Sequence, residues 1–174
     1  RRGISVFVWI GTIGLQRLPD LDAQIDAYVA THADAIRSRL LPVALEVFQR
    51  HRAAGDSVVV ATGAPPELAR AIFAFVAHQD VTVIGSEVGP RFGAMGATRH
   101  CHNEEKMRML RERGYGAIAI AYSDSTADLP LLRAAQAPVV VNPKHSRVAY
   151  FRRVLSACTR ILVWGWAERG GGRA

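Results

Sequence analysis

The sequence predicts an α/β fold built on a parallel sheet, and three observations predict it. Short β-branched runs recur along the chain, at Ser57–Ala61 (SVVVA), Val81–Ile84 (VTVI), Ala117–Ala121 (AIAIA) and Val139–Val141 (VVV). Segments of helical periodicity separate them, and glycines close two of these segments, at Gly55 and Gly114. Hydrophobic residues make up 49% of the 174 and charged residues 21%, enough to bury a core and to exclude global disorder.

Each element follows from its local pattern. Residues 1–14 (RRGISVFVWIGTIG) are apolar with three glycines and read equally as helix or strand. From Asp20, a capping residue, the period turns helical, with Leu21, Ile25, Tyr28 and Val29 on one face. A second helix starts at Pro42, a favoured first-turn residue, and stops at Gly55. The strand Ser57–Ala61 ends at Thr62-Gly63, and Pro65-Pro66 opens a helix to Ala77. After the strand Val81–Ile84, Glu87–Thr98 is glycine-rich and reads as turns. Glu104–Arg113 is helical, Ala117–Ala121 is a strand running into Tyr122-Ser123-Asp124, Leu129–Ala135 is a short helix and Val139–Val141 a last strand. The tail Gly170–Ala174 is expected to be disordered.

Composition narrows the function classes. Two cysteines, Cys101 and Cys158, cannot form a disulfide framework, which favours a reducing compartment. No run reaches the 18 apolar residues of a membrane span. The net charge of +7 favours anionic partners, and of the 22 basic residues only Lys106 and Lys144 are lysines. No segment interleaves clustered bases with aromatics, so nucleic acid is not expected as a partner. Arg147, Arg152, Arg153 and Arg160 with Trp164 and Trp166 offer an interfacial face toward anionic lipid. The competing reading is a surface helix with these arginines outward and Val154, Leu155 and Ile161 inward.

In a parallel sheet, ligands gather at the carboxyl ends of strands, and polar clusters stand there. Thr62-Gly63 offers a hydroxyl and backbone N–H groups ahead of a helix, suited to a phosphate or simply to helix capping. Asp124 and Asp128, four residues apart across a strand-to-helix turn, offer hard oxygen ligands for Mg²⁺ or, alternatively, favourable charge at a helix start. Lys106 in EEKMRMLRERG is either a solvated helix position or a compact cation beside a phosphate and a carboxylate. His100-Cys101-His102 resembles a metal cluster but lacks a second distant ligand pair, and Asp20-Leu21-Asp22 reads as a helix start.

Taken in order, these pieces resemble the haloacid-dehalogenase-like (HAD) hydrolase superfamily. VVVATGAPPELARAI is similar to its second motif, Glu105-Lys106 with GYGAIAIAYSDSTADLPLL to its third and fourth, and VVVNP at Val139–Pro143 to the strand that follows. The similarity is to the phosphoserine-phosphatase-like branch (subfamily IB), and within it to bacterial phosphatidylglycerophosphatase C. The resemblance implies a Rossmann-like sheet of the HAD type, with a helical cap remnant over residues 1–40, an α/β core over 41–150, and a C-terminal helix and flexible tail over 151–174. It implies a phosphatase working through an aspartyl-phosphate with Mg²⁺. Thr62 and Gly63 would contact the phosphoryl group, Lys106 would neutralise it, Asp124 would bind Mg²⁺, and Asp128 would support the metal and Lys106. The substrate would be a small phosphomonoester or a lipid phosphate, in a cytoplasmic protein that can also contact an anionic inner membrane peripherally.

One motif departs from the pattern. The family's first motif, Asp-x-Asp-Gly-Thr, supplies the nucleophile and the general acid. The nearest match here is Phe7-Val8-Trp9-Ile10-Gly11-Thr12, with Val8 and Ile10 where the acids would stand. Neither side chain can attack phosphorus, bind a cation or donate a proton. The central strand is therefore missing or degenerate. The reading favoured here is an N-terminally truncated phosphatase, inactive alone; the alternatives are a degenerate non-catalytic member and a basic anion-binding module.

Overall fold

The computed structural model describes residues 18–77, 81–91 and 94–165. The ambiguous segment 1–14 with Val8 and Ile10, Trp166, and the tail Gly170–Ala174 lie outside the described residues. The chain divides into two compact units, one drawn from Arg1–Arg37 and Val58–Cys101, the other from Ser38–Ser57 and His102–Ala174.

In the first unit, helix α1 spans Leu18–Thr31. It begins two residues earlier than the sequence reading, so Asp20 stands within the first turn rather than ahead of it; proline is tolerated there, which admits Pro19. Ile25 and Val29 are buried, whereas Tyr28 is 48% exposed and stacks on His32, with ring centroids 4.3 Å apart. Residues 25 and 29 lie about 40° apart around a helix, and 28 falls on the flank of that stripe. A short helix α2 (Ala33–Arg39) follows and places the Arg37 guanidinium 4.5 Å from the Phe75 ring centroid.

Strand β1 (Val59–Ala61), helix α4 (Pro66–Ala77) and strand β2 (Thr82–Ile84) form a parallel β-α-β unit, with Val60 facing Val83; α4 also packs on α1. The number α3 belongs to Pro42–Ala53, described with the second unit. The glycine-rich stretch expected as turns is instead a β-hairpin. Strand β3 (Glu87–Arg91) runs antiparallel to β4 (Ala94–Arg99), with a register shift between Glu87 and Val88 and with Gly89 opposite Gly96. Glycine lowers intrinsic strand propensity, but the partner strand supplies a full ladder that local composition does not foresee.

In the second unit, α3 begins with Pro42 in its first turn and leaves through Gly55 at φ +80°. Helix α5 (Asn103–Glu112) likewise ends at Gly114, φ +85°. Glycine enters this left-handed region without the steric cost other residues carry. Strands β5 (Ile118–Ser123), β6 (Ala135–Val141) and β7 (Arg160–Leu162) form a parallel sheet with β6 central. A 3-10 turn (Thr126–Asp128) and helix α6 (Leu129–Ala134) carry the chain from β5 to β6, and helix α7 (His145–Val154) carries it on to β7. Ala121, Leu132, Val140, Phe151 and Leu155 make the core beneath this sheet.

Beyond Phe151 the expected C-terminal helix continues only to Val154. Leu155 is already extended, and Arg160–Leu162 adds a strand, pairing Ile161 with Val140. Ile161 thus packs toward the core from a strand, and the competing reading of one helix carrying Val154, Leu155 and Ile161 inward does not describe this segment. The second edge of β6 supplies hydrogen-bond partners to β7, which a reading based on helical spacing leaves out.

Candidate functional site

The expected site residues divide between the units. Thr62 and Gly63 belong to the first; Lys106, Asp124 and Asp128 belong to the second.

In the first unit, Thr62 directly follows β1, and its backbone N–H donates to the Ile84 carbonyl at 2.9 Å, extending the β1–β2 pairing. Its hydroxyl oxygen accepts the Ala64 N–H at 3.1 Å. Helix α4 begins only at Pro66, so the Thr62 hydroxyl closes a turn rather than capping the helix. Gly63 is exposed, and a Cβ built on it would stand 3.6 Å from His100 Cε1.

Behind this loop lies a residue that no sequence pattern singled out. Ser86 is buried, and its hydroxyl donates to the Gly63 carbonyl at 2.8 Å while accepting the Cys101 N–H at 3.0 Å. His100 Nδ1 stands 2.9 Å from the same oxygen. A serine has one proton, already given to Gly63, so His100 Nδ1 is the donor. The adjacent Gly85 is required by space: a Cβ there would lie 2.5 Å from the Ala64 carbonyl oxygen and 2.8 Å from the Pro66 nitrogen. The pair Gly85-Ser86 after a strand is the only local signal of this arrangement.

The same contacts account for part of the His-Cys-His run. The Cys101 thiol is buried and directed at the Ile84 carbonyl, 3.8 Å away, and His100 is turned to Ser86. His102 supplies the carbonyl that accepts the first N–H groups of α5. Among the described residues, no group of three or more His, Cys, Asp or Glu could hold a metal ion.

In the second unit, Lys106 is not on a solvated face. It is 7% exposed and shares the buried side of α5 with Met107, Met109 and Leu110. Its ammonium lies 2.5 Å from Asp128 Oδ1. The other oxygen, Asp128 Oδ2, accepts the Ser123 hydroxyl at 2.7 Å. Ser123 Oγ accepts in turn from the Ser125 N–H at 3.1 Å, and Ser125 Oγ accepts the Ala127 N–H at 3.2 Å. The strand end, the 3-10 turn and α5 are thereby tied into one hydrogen-bonded network.

Asp124 stands between these serines, one residue past β5. It is exposed, and among the described residues its carboxylate has no hydrogen-bond or ion-pair partner. The two aspartates therefore differ in state: Asp128 is committed to Lys106 and Ser123, while Asp124 is open to a ligand. An accessible carboxylate at the carboxyl end of a parallel strand fits Mg²⁺, which takes one or two carboxylates and keeps several waters.

Comparison with known proteins agrees with this architecture. A family model described as haloacid dehalogenase-like hydrolase matches residues 15–133. The chain is also similar to the crystal structure of a protein with unknown function from Bordetella pertussis Tohama I. The TM-score is 0.68 at 22% identity, covering 88% of this chain and 70% of that one, a likeness of fold. No curated protein matches the chain. Among the described residues, no helix is long and apolar enough to cross a membrane.

Proposed function

This chain belongs to the haloacid dehalogenase-like hydrolases, and we propose that it carries the phosphate- and metal-binding half of a Mg²⁺-dependent phosphomonoesterase of the phosphoserine-phosphatase-like branch. The observation that carries the reading is the pairing of buried Lys106 with Asp128 beside an exposed Asp124 that has no partner among the described residues. A buried ammonium held by a carboxylate is a fixed positive charge, suited to a phosphoryl group.

In this reading each residue has a definite task. Asp124 holds the cation, and Asp128 acts by fixing Lys106. Lys106 neutralises phosphoryl charge. For Thr62 and Gly63, in the first unit, the role of phosphoryl contacts rests on the motif resemblance alone. When bound, Mg²⁺ supplies Lewis-acid stabilisation of that charge. The substrate class is a small phosphomonoester or a lipid phosphate. The nucleophilic and acid-donating carboxylates of an aspartyl-phosphate mechanism are absent at Val8 and Ile10. The chain alone is therefore inactive, since general acid help by itself is commonly worth about 10²–10⁴-fold.

The test is hydrolysis of p-nitrophenyl phosphate with Mg²⁺ by the purified chain, beside the same chain with an Asp-x-Asp-Gly-Thr strand joined ahead of it. Activity is expected only in the extended protein, and lost on Asp124→Asn or Lys106→Ala. Turnover by the short chain that disappears on Asp124→Asn would overturn the inactivity. An inert extended protein that folds would overturn the hydrolase assignment of these residues.

A second reading is favoured by charge. From Leu129 through Gly165 the sequence has no acidic residue and six lysines and arginines. All six, Arg133, Lys144, Arg147, Arg152, Arg153 and Arg160, are exposed, and a shallow groove on α7 is lined by His145, Val148, Ala149, Arg152 and Arg153. Such a face suits peripheral contact with an anionic membrane. Sedimentation with phosphatidylglycerol vesicles that falls with added salt and with the double change Arg152→Glu, Arg153→Glu would support it. Binding indifferent to both would remove it.

A further inference from the structure

Three side chains to which the proposed function assigns no task meet in the second unit. His51 lies near the end of α3, Asp56 follows the Gly55 turn, and Tyr122 is the penultimate residue of β5. His51 Nδ1 is 2.7 Å from Asp56 Oδ2, and His51 Nε2 is 2.9 Å from the Tyr122 hydroxyl. An ionised carboxylate only accepts, so Nδ1 carries a proton; in the neutral ring, Nε2 then accepts from the Tyr122 hydroxyl. The Tyr122 ring also meets His51 edge-on at 5.7 Å and Trp164 at 5.6 Å, and the Trp164 backbone N–H donates to Asn142 Oδ1 at 2.8 Å.

The location of this chain of bonds gives it a use. Among the described residues, β5 lies at the edge of its sheet and is hydrogen-bonded to β6. Successive strand side chains point to opposite faces. At the end of β5, Ser123 is held on one face by Asp128, and Tyr122 on the other by His51. Asp124 is the next residue. We infer that His51, oriented by Asp56, is a positioning residue that acts through Tyr122 to fix the strand end from which Asp124 emerges, and so sets where that carboxylate stands for a divalent cation. The cation part of this inference rests on the reading of Asp124 as a metal ligand.

The experiment compares the full chain with Tyr122→Phe, which removes one hydroxyl, and with His51→Ala. Amide hydrogen exchange is followed at Ser125 and Ala127, whose N–H groups bond within the Asp124 loop, with Val140 and Phe151 as core references. Both variants are expected to exchange about fivefold faster at Ser125 and Ala127, as for one lost hydrogen bond, with the references unchanged. Unchanged loop rates, or equal acceleration at the references, overturn the inference. Mn²⁺ affinity, read by electron paramagnetic resonance, is expected to fall roughly tenfold in Tyr122→Phe, as for other supporting residues, and to vanish in Asp124→Asn. Mn²⁺ bound equally well by wild type and Tyr122→Phe, but lost in Asp124→Asn, keeps the metal reading and overturns the positioning role. No Mn²⁺ binding by wild type, with the exchange result as expected, removes the metal reading and leaves His51 positioning the loop.

Discussion

The Lys106 ammonium and the Asp128 carboxylate stand 2.5 Å apart, and their side chains are only 8% and 14% exposed. Lys106 comes from α5 and Asp128 from the turn after β5, so the pair joins segments distant in sequence. Removing one partner from such a pair leaves an uncompensated buried charge. Asp128→Ala is expected to cost about 3 kcal/mol of stability in urea unfolding, and Lys106→Met a similar amount. The double replacement Lys106→Met, Asp128→Leu is expected to cost clearly less than the sum. Additive losses would show that the two charges do not depend on each other.

Packing behind the Thr62-Gly63 loop leads to a second expectation. Gly85→Ala would drive a methyl group against backbone atoms of Ala64 and Pro66, which have no flexible end to move. It is expected to destabilise by about 3 kcal/mol, the upper range for overpacking. Ser86→Ala leaves the Gly63 carbonyl, the Cys101 N–H and His100 without their shared partner. It is expected to cost about 2 kcal/mol. Thermal unfolding of both variants checks the order, and a Gly85→Ala protein as stable as wild type would contradict the close approach.

Asn142, at the exit of β6, has φ +46° and bonds both ways with its side chain. It accepts the Trp164 N–H at 2.8 Å and donates to the Gly165 carbonyl at 2.6 Å. Asn142→Gly keeps the left-handed backbone and loses the two bonds; Asn142→Ala loses the bonds and adds strain. The alanine variant is expected to be less stable than the glycine variant by about 1 kcal/mol, the steric cost of that region. Urea midpoints measured side by side decide it.

The core of the second unit should respond according to burial. Phe151 is fully buried among Ala121, Leu132 and Val140, whereas Ile120 on the edge strand is 42% exposed. Phe151→Ala is expected to cost about 3–5 kcal/mol in unfolding experiments, and Ile120→Ala distinctly less. Equal losses would mean that β5 is covered where it now stands open.

Helix stops at Gly55 and Gly114 and the strand cores at VVVA, VTVI, AIAIA and VVV were legible because local backbone preference alone marks them. The hairpin Glu87–Arg99 was not, since its glycines hide a strand whose stability comes from its partner. Strand β7 was missed for the same reason, its ladder being supplied by Val139–Val141. At the site, the succession of Thr62-Gly63, Lys106, Asp124 and Asp128 could be read as a resemblance, but a lysine within EEKMRML is indistinguishable from a solvated one by spacing alone.

The sequence by itself determined the α/β class, the order of the main helices and of four of the strands, the excess of positive charge and the absence of acids at positions 8 and 10. These depend on composition and on neighbours a few residues apart. Only the tertiary structure decided that Lys106 is buried against Asp128, that Ser86 holds Gly63, Cys101 and His100 together, and that His51 reaches Tyr122 across 71 residues of chain. Burial and hydrogen bonding between distant segments depend on which surfaces the fold brings face to face, and short-range periodicity carries no record of that.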